Sequence, residues 1–459
     1  MERKENKMGV MPVNRLLVTM ALPIIISMMV QALYNVVDSI YVARLSEDAL
    51  SAVTLAFPAQ NLMIGIATGT GVGVASILSR SLGEKNYERA NLAAGNSFVL
   101  AGASWLLMVV FGLFFSKIFF NAQTKVTEIA EMGDTYLKIV TIASFGLFGE
   151  ITMERLLQST GRTGLSMVVQ LVGAGLNIIF DPILIFGKFG FPRMGIAGAA
   201  AATVFGQIVA MILAVIINIR YNKEITFAPK YMKPDGKLIR DVYIIGVPSI
   251  LMVAIGSVMT FSMNKILGGF SSTAVAVFGV YFKLQSFVLM PVFGLNNGLI
   301  PIVSYNFGAR KKDRIFKAIK LAMIYAVAFM MLGLAVFQLA PRGLMAMFNA
   351  SEDMMKMGIP ALRTLSLNFI FSGISIVSIS VFQALGKSFY SLIMSVSRQL
   401  LILIPVAYFM SLTGVLEYVW FSFPIAELVS VIIAVLLLRR VIRYVNTTLD
   451  GGAEEEQEI

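Results

Sequence analysis

Long apolar runs alternate with short polar turns along almost the whole chain. They cover about 13–42, 50–82, 90–116, 127–160, 163–187 and 194–219, then 236–268, 273–306, 314–340, 353–384, 388–412 and 416–445. Each is long enough to cross a bilayer as a helix, which takes about 20 residues. Backbone polar groups need internal partners in lipid, so the pattern predicts an all-α polytopic membrane protein with about twelve transmembrane helices. Several runs exceed one straight span, and tilting, extension past the bilayer, or bending at Pro23, Pro58 or Pro248 is expected. The longest polar interruption is Arg220 to Asp241. It divides the chain into a first lobe over 1–220, a cytoplasmic linker over 221–238 and a second lobe over 239–446. The last stretch, 447–459, reads as a flexible acidic tail.

The two sets of runs are copies. Pro23 matches Pro248, Gly69 matches Gly294, and Gly73 matches Gly298. Gly83 matches Gly308, Gly133 matches Gly358, Gln158 matches Gln383, and Gly161 matches Gly386, every pair separated by the same interval. Five glycine pairs at one offset exceed the one or two expected by chance. Six helices per copy is an even number, so both copies enter the membrane from the same side. This is a parallel internal repeat, with a cleft expected between two six-helix lobes.

Only 14% of residues are charged, 57% are hydrophobic, and the mean hydropathy is +0.81. The net charge of +11 does not point to nucleic acid, because the bases sit in short loops between apolar runs. Arg80, Lys85 and Arg89, the linker bases, Arg310 to Lys317, and Arg439 to Arg443 fall on one side. The positive-inside rule makes that side, and both termini, cytoplasmic, which implies a multi-pass protein of the cytoplasmic (inner) membrane. The chain has no Cys and no His, so it lacks a thiolate nucleophile, Cys or His metal ligands, and the commonest general base. No phosphate loop, zinc-protease or serine-hydrolase motif is present, so no enzyme and no cofactor are expected. A proton switch would have to be a carboxylate.

The first run carries such a group. Ser27, Gln31, Tyr34, Asn35 and Asp38 recur at helical spacing on a helix otherwise built of Ile, Val, Met and Leu. An acid deep in lipid costs about 2.5–3.5 kcal/mol unless it faces protein or water. Asp38 is therefore expected to point inward, the bland alternative being an acid that escapes to the headgroups. In the fifth run Asn177 and Asp181 share a face, and Pro182 leaves a nearby carbonyl without its helical donor. This oxygen-rich group suits a proton or a hard cation, although Asp at a proline also serves as a cap. Thr203 and Gln207 share a face of the sixth run. Glu150, Glu154 and Gln158 follow at i, i+4 and i+8 in the fourth, beside Arg155. They read either as an interfacial charge cluster or as cavity residues. Lys283, Arg398 and Glu427 lie inside apolar runs of the second lobe. There Glu427 paired with Arg398 or Lys283 is the expected structural arrangement.

Taken in order, ALPIIISMMVQALYNVVDSIYVARL, SRSLGEKNYERA, LNIIFDPILIFG, FKLQSFVLMPVFGLNNGLIPIVSYNFGAR and SRQLLILIP resemble the multidrug and toxic compound extrusion (MATE) family over nearly the whole chain. The resemblance implies two six-helix lobes in a V that export organic cations in exchange for protons or sodium. Its first-lobe cation site falls on Asp38, Asn177, Asp181 and Thr203, and Gln31 and Tyr34 fall at cavity positions. Asn35 and Glu154 join them as candidate cavity residues. The second lobe departs from members that carry acids in helices seven and ten. Met263 stands where the second copy would repeat Asp38, and the tenth run offers Ser372, Ser375 and Ser378.

The expected function is thus secondary active efflux of amphipathic organic cations by alternating access, coupled to H+ or Na+ through the first lobe. A flippase for a lipid-linked saccharide or phospholipid is the alternative on the same bundle. Beyond a sodium ion at Asp38, Asn177 and Asp181 no metal is expected. The partners are small organic cations and the lipid bilayer, and the protein is expected to act as a monomer. Two carboxylates in one dry site cannot both stay charged cheaply, so Asp38 and Asp181 are expected to converge and exchange a proton or a sodium ion.

Overall fold

The computed structural model describes residues 5–348 and 350–455. The principal helices are α1 (Val13–Ala43), α2 (Glu47–Gly83), α3 (Tyr87–Gln123), α4 (Thr127–Ile142), α5 (Phe145–Ser159), α6 (Thr163–Phe186) and α7 (Ile196–Tyr221). After the linker follow α8 (Gly236–Gly268), α9 (Ser272–Gly308), α10 (Lys312–Leu339), α11 (Glu352–Ser366), α12 (Phe369–Ala384), α13 (Ser388–Ser411) and α14 (Ser422–Glu455). Among the described residues there is no strand. Ten helical spans among them are long and apolar enough to cross a membrane, or twelve if each bent pair counts as one span.

The bent pairs are α4 with α5, at 46°, and α11 with α12, at 49°. Neither bend sits at a proline. The helices run through Pro23, Pro58 and Pro248 without a break, so the sharp bends fall elsewhere than the prolines suggested. Side-chain competition for the helical ladder explains them. Thr141 Oγ1 donates to the Leu137 carbonyl at 2.6 Å, and Ser144 Oγ to the Thr141 carbonyl at 2.7 Å. At the second bend Gln338 of α10 inserts, donating to the Arg363 carbonyl at 2.7 Å and to Ser366 Oγ at 3.0 Å. Such bonds tilt carbonyls out of the i→i−4 ladder.

The repeat reaches the backbone. Ser46 caps α2 by accepting from Ala49 N at 3.0 Å, and Ser271 caps α9 by accepting from Ala274 N at 3.1 Å. Lys85 and Arg310 occupy positive φ at 57° and 56°, and Gly161 and Gly386 at 86° and 73°. Ser79 Oγ donates to the Ser159 carbonyl at 2.9 Å, as Ser304 Oγ does to the Ala384 carbonyl at 2.8 Å.

Two compact units form. One holds Leu22–Ile250 and the described residues before Lys7; the other holds Lys7–Ala21 and the chain from Leu251 onward. The divisions fall inside α1 and α8 rather than at the linker expected over 221–238. In the second unit, close packing ties down the first residues of α1: a Cβ on Gly298 would lie 3.1 Å from Ala21 N. The segment before it is pinned as well. Arg314 donates to the carbonyls of Met8 and Met11 at 2.9 and 2.7 Å, and Asn306 donates to Met8 at 3.0 Å.

In the first unit the linker lies on α3. Asn96 donates to the carbonyls of Tyr231 and Lys233 at 3.2 and 3.1 Å and accepts from Asp235 N at 2.9 Å. α14 continues to Glu455, so part of the stretch expected as a flexible tail is helical; residues 456–459 lie outside the described residues.

Candidate functional site

Small residues bring α6 and α7 together. A Cβ on Gly206 would lie 2.8 Å from the Gly173 carbonyl oxygen, and one on Gly198 would lie 2.5 Å from that of Leu184. Only glycine admits backbone approach this close. The crossing sets Thr203 of α7 against Asn177 of α6. Asn177 and Asp181, one turn apart, are 3% and 0% exposed. With its amide nitrogen toward Asp181, Asn177 donates to Oδ2 at 3.2 Å, and its oxygen accepts from the Thr203 hydroxyl at 3.2 Å and the Thr203 N–H at 3.3 Å. The amide thereby fixes the carboxyl and is itself fully engaged.

α1 supplies the second carboxyl. Asp38 and Asp181 face each other within hydrogen-bonding reach, and Asp38 Oδ1 is buried without a donor from the protein. Two facing carboxyls repel unless a proton or a cation lies between them. The carboxyl oxygens are hard donors that suit a proton or a small monovalent cation. No group of three or more His, Cys, Asp or Glu side chains placed to hold a metal ion occurs among the described residues.

Tyr34, one turn before Asp38, hydrogen-bonds Gln31 and has Glu150, Asp38 and Asp181 as charged neighbours. The structure therefore gathers Asp38, Asn177, Asp181, Thr203, Tyr34 and Gln31. Asn35 does not join them; it is exposed. Glu154 lies on α5 next to Glu150, both buried, one step removed from the Asp38–Asp181 contact.

Two residues escaped the sequence reading. Tyr136 of α4, 2% exposed, faces Asp38, Asp181 and Tyr34, and its hydroxyl accepts from Gln60 Nε2 of α2 at 3.0 Å. Neither sits in a polar stripe, and an isolated Tyr or Gln in an apolar run carries no periodic signal. The only available hint was that Tyr136 follows Gly133 by three residues and so shares its packing face.

In the second unit Arg398 Nη1 meets Glu427 Oε2 at 3.1 Å. Lys283 is exposed and makes no ion pair among the described residues. Arg398 sits in a stretch of i→i+5 turns, Ser397–Leu403, a wide-turn insertion of the kind often found at functional positions.

The MatE family model matches residues 23–183 and again 248–409, two matches whose first residues are the paired prolines Pro23 and Pro248. The multidrug export protein MepA of Staphylococcus aureus (strain MSSA476) is 26% identical over 432 residues, 93% of this chain and 94% of its own. Its namesake in Staphylococcus haemolyticus (strain JCSC1435) is 26% identical over 420 residues, 91% of each chain. A crystal structure described as MATE in the bent conformation is 24% identical and superimposes with a TM-score of 0.91, covering 98% of this chain and 99% of that one. That likeness shows a common fold. The family model covers most of the chain, in two copies that coincide with the repeat read from the glycines and seen in the backbone, and the chain is accordingly a polytopic membrane protein of the MatE family.

Proposed function

We propose that this chain is a secondary active exporter of amphipathic organic cations, exchanging them for protons or sodium ions through Asp38 and Asp181. The observation that carries the reading is the contact between the buried Asp181 carboxyl and that of half-buried Asp38, fixed on one side by Asn177 and Thr203 and open to a mobile positive charge at the buried Asp38 Oδ1. The MepA relatives are named as multidrug export proteins, which supports an export role.

The cycle follows from charge. An empty pair holds negative charge in a dry site and attracts either an organic cation nearby or the coupling ion. Loading the ion cancels that charge and removes the attraction for the drug. Export then requires the two ligands to favour different states of the transporter. Exchange of one proton for one monovalent cation moves no net charge. A second ion would add the membrane potential, worth about 2.3 kcal/mol per charge per 100 mV. The bases on the Arg80–Arg89, linker and Arg310–Lys317 side support a cytoplasmic location for both termini, in the cytoplasmic membrane. A phosphate-bearing lipid finds less here. Arg398, a base inside an apolar run of the second lobe, is engaged by Glu427.

Asp38→Asn imitates the protonated acid at nearly constant volume. In everted vesicles it is expected to lower ion-gradient-dependent ethidium uptake about tenfold or more, within the usual span of coupling free energies of about 1–3 kcal/mol. Parent-like uptake by this variant across the pH range, with sodium present or omitted, refutes the assignment. Omitting sodium and then collapsing the proton gradient identifies the ion.

A further inference from the structure

Glu150 and Glu154 take no part in the Asp38–Asp181 contact, yet α5 holds both inside the first unit. They are 6% and 9% exposed and one helical turn apart, so their carboxyls share a face. Glu154 Oε1 is buried without a hydrogen-bond donor. Opposite Glu150, α6 offers bare backbone: a Cβ on Gly173 would stand 3.3 Å from Glu150 Oε1. From α1 comes Tyr34, which hydrogen-bonds Gln31 and has Glu150, Asp38 and Asp181 as charged neighbours. The positive group at the pair is Arg155, beside Glu154 on α5, which also donates to Gln158 at 3.1 Å.

The charges do not balance if both glutamates ionise. One arginine offsets one carboxylate, and the second would stand unopposed in a dry site against its neighbour. The pair therefore keeps one proton, shared between two carboxyls as in any closely coupled acid pair.

We propose that Glu150 and Glu154 form a second exchangeable-proton site, beside that of Asp38 and Asp181. The proposal rests on the coupling role of Asp38 and Asp181. The release balances: an O–H bond breaks in the Glu150–Glu154 pair, its proton leaves to solvent, and the bound organic cation supplies the positive charge in its place.

The test counts protons. Purified full-length protein in weakly buffered solution near neutral pH, with a pH-indicator dye, is titrated with ethidium. The parent is expected to release about two protons per ethidium bound, and Glu150→Gln/Glu154→Gln about one, since each coupled pair gives up one. Asp38→Asn is also expected to lose about one. A double variant that binds ethidium and releases as many protons as the parent overturns the second site. If Asp38→Asn also matches the parent, the coupling role of the first pair falls instead, so the two failures are separable. Should the double variant fail to fold, infrared difference spectra of the parent on ethidium binding decide the matter. Loss of protonated-carboxyl signal that Asp38→Asn abolishes entirely refutes the proposal, and a residual loss that Glu154→Gln shifts supports it.

Discussion

Arg398→Met tests how the second unit balances the deeply buried Glu427. That acid is 4% exposed; Arg398 Nη1 donates to its Oε2 at 3.1 Å, and Oε1 receives no donor among the described residues. Removing the arginine strands a carboxylate in the core, a change that costs about 3–5 kcal/mol in buried pairs. Because one oxygen of two is engaged, the lower end, about 3 kcal/mol, is expected. Glu427→Gln is not the mirror image. The Arg398 side chain is 27% exposed, so its guanidinium can turn toward water or headgroups once released. That variant loses about the worth of one charged hydrogen bond, about 1.5–3 kcal/mol at most. Arg398→Met/Glu427→Gln leaves no stranded charge and should cost less than the sum of the singles by at least about 1 kcal/mol, since contacting residues couple on that scale. Unfolding free energies in mixed detergent micelles supply the cycle. Additive costs, or a Glu427→Gln penalty equal to that of Arg398→Met, refute the reasoning.

Three further outcomes follow from close packing and from the linker. Gly206→Val sets a branched side chain where a Cβ alone already lies 2.8 Å from the Gly173 carbonyl. It is expected to cost about 1–3 kcal/mol by overpacking and to impair ion-dependent uptake by parting Thr203 from Asn177. Gly102→Ala, with nothing within 4 Å of the new Cβ, should leave thermal stability and uptake at parental levels in the same assays. Asn96→Ala removes three hydrogen bonds to the linker, at 3.2, 3.1 and 2.9 Å. It is expected to cost about 1–3 kcal/mol and to expose the segment around Tyr231 to protease; a parental cleavage pattern refutes that account.

Much of this was legible because lipid leaves the chain few choices. An apolar run must be a helix, and its ends must be loops, so the expected run 163–187 meets the helix Thr163–Phe186, and 236–268 meets Gly236–Gly268. The acids were legible for the same reason: Asp38 and Asp181 have nowhere to go but inward. What the sequence concealed depends on how helices cross. Tyr136 and Gln60 come from α4 and α2, and only the packing of four helices brings them to Asp38. Asn35 shares the helical spacing of Gln31 and Asp38 yet is exposed, because the inward stripe of α1 is narrower than the spacing allows. The bends were missed because proline announces itself in a sequence, whereas a Ser or Thr that turns back onto its own carbonyls does so only in a folded helix.

The duplicated fold carries different buried charge in its two units. Caps, hairpin turns and the Ser79 and Ser304 bonds recur at matching positions of the two copies, but the chemistry does not. At the offset that pairs Pro23 with Pro248, Asp38 becomes Met263, Tyr34 becomes Met259, Asp181 becomes Val406 and Glu154 becomes Ile379. Met263 is fully buried, so the space is kept and the charge is gone. Gly173, the bare backbone that faces Glu150, becomes Arg398. Where the first unit sets bare backbone against an acid, the second carries a guanidinium and pairs it with Glu427 at 3.1 Å. A tethered cation cannot dissociate, so that carboxylate is neutralised for the life of the protein. Among the described residues one arginine, Arg155, stands by the acids Asp38, Glu150, Glu154 and Asp181 of the first unit, and under the proposed function the rest of their positive charge comes from solution. On this scaffold, binding an ion and standing neutral differ by whether the balancing cation is covalently attached.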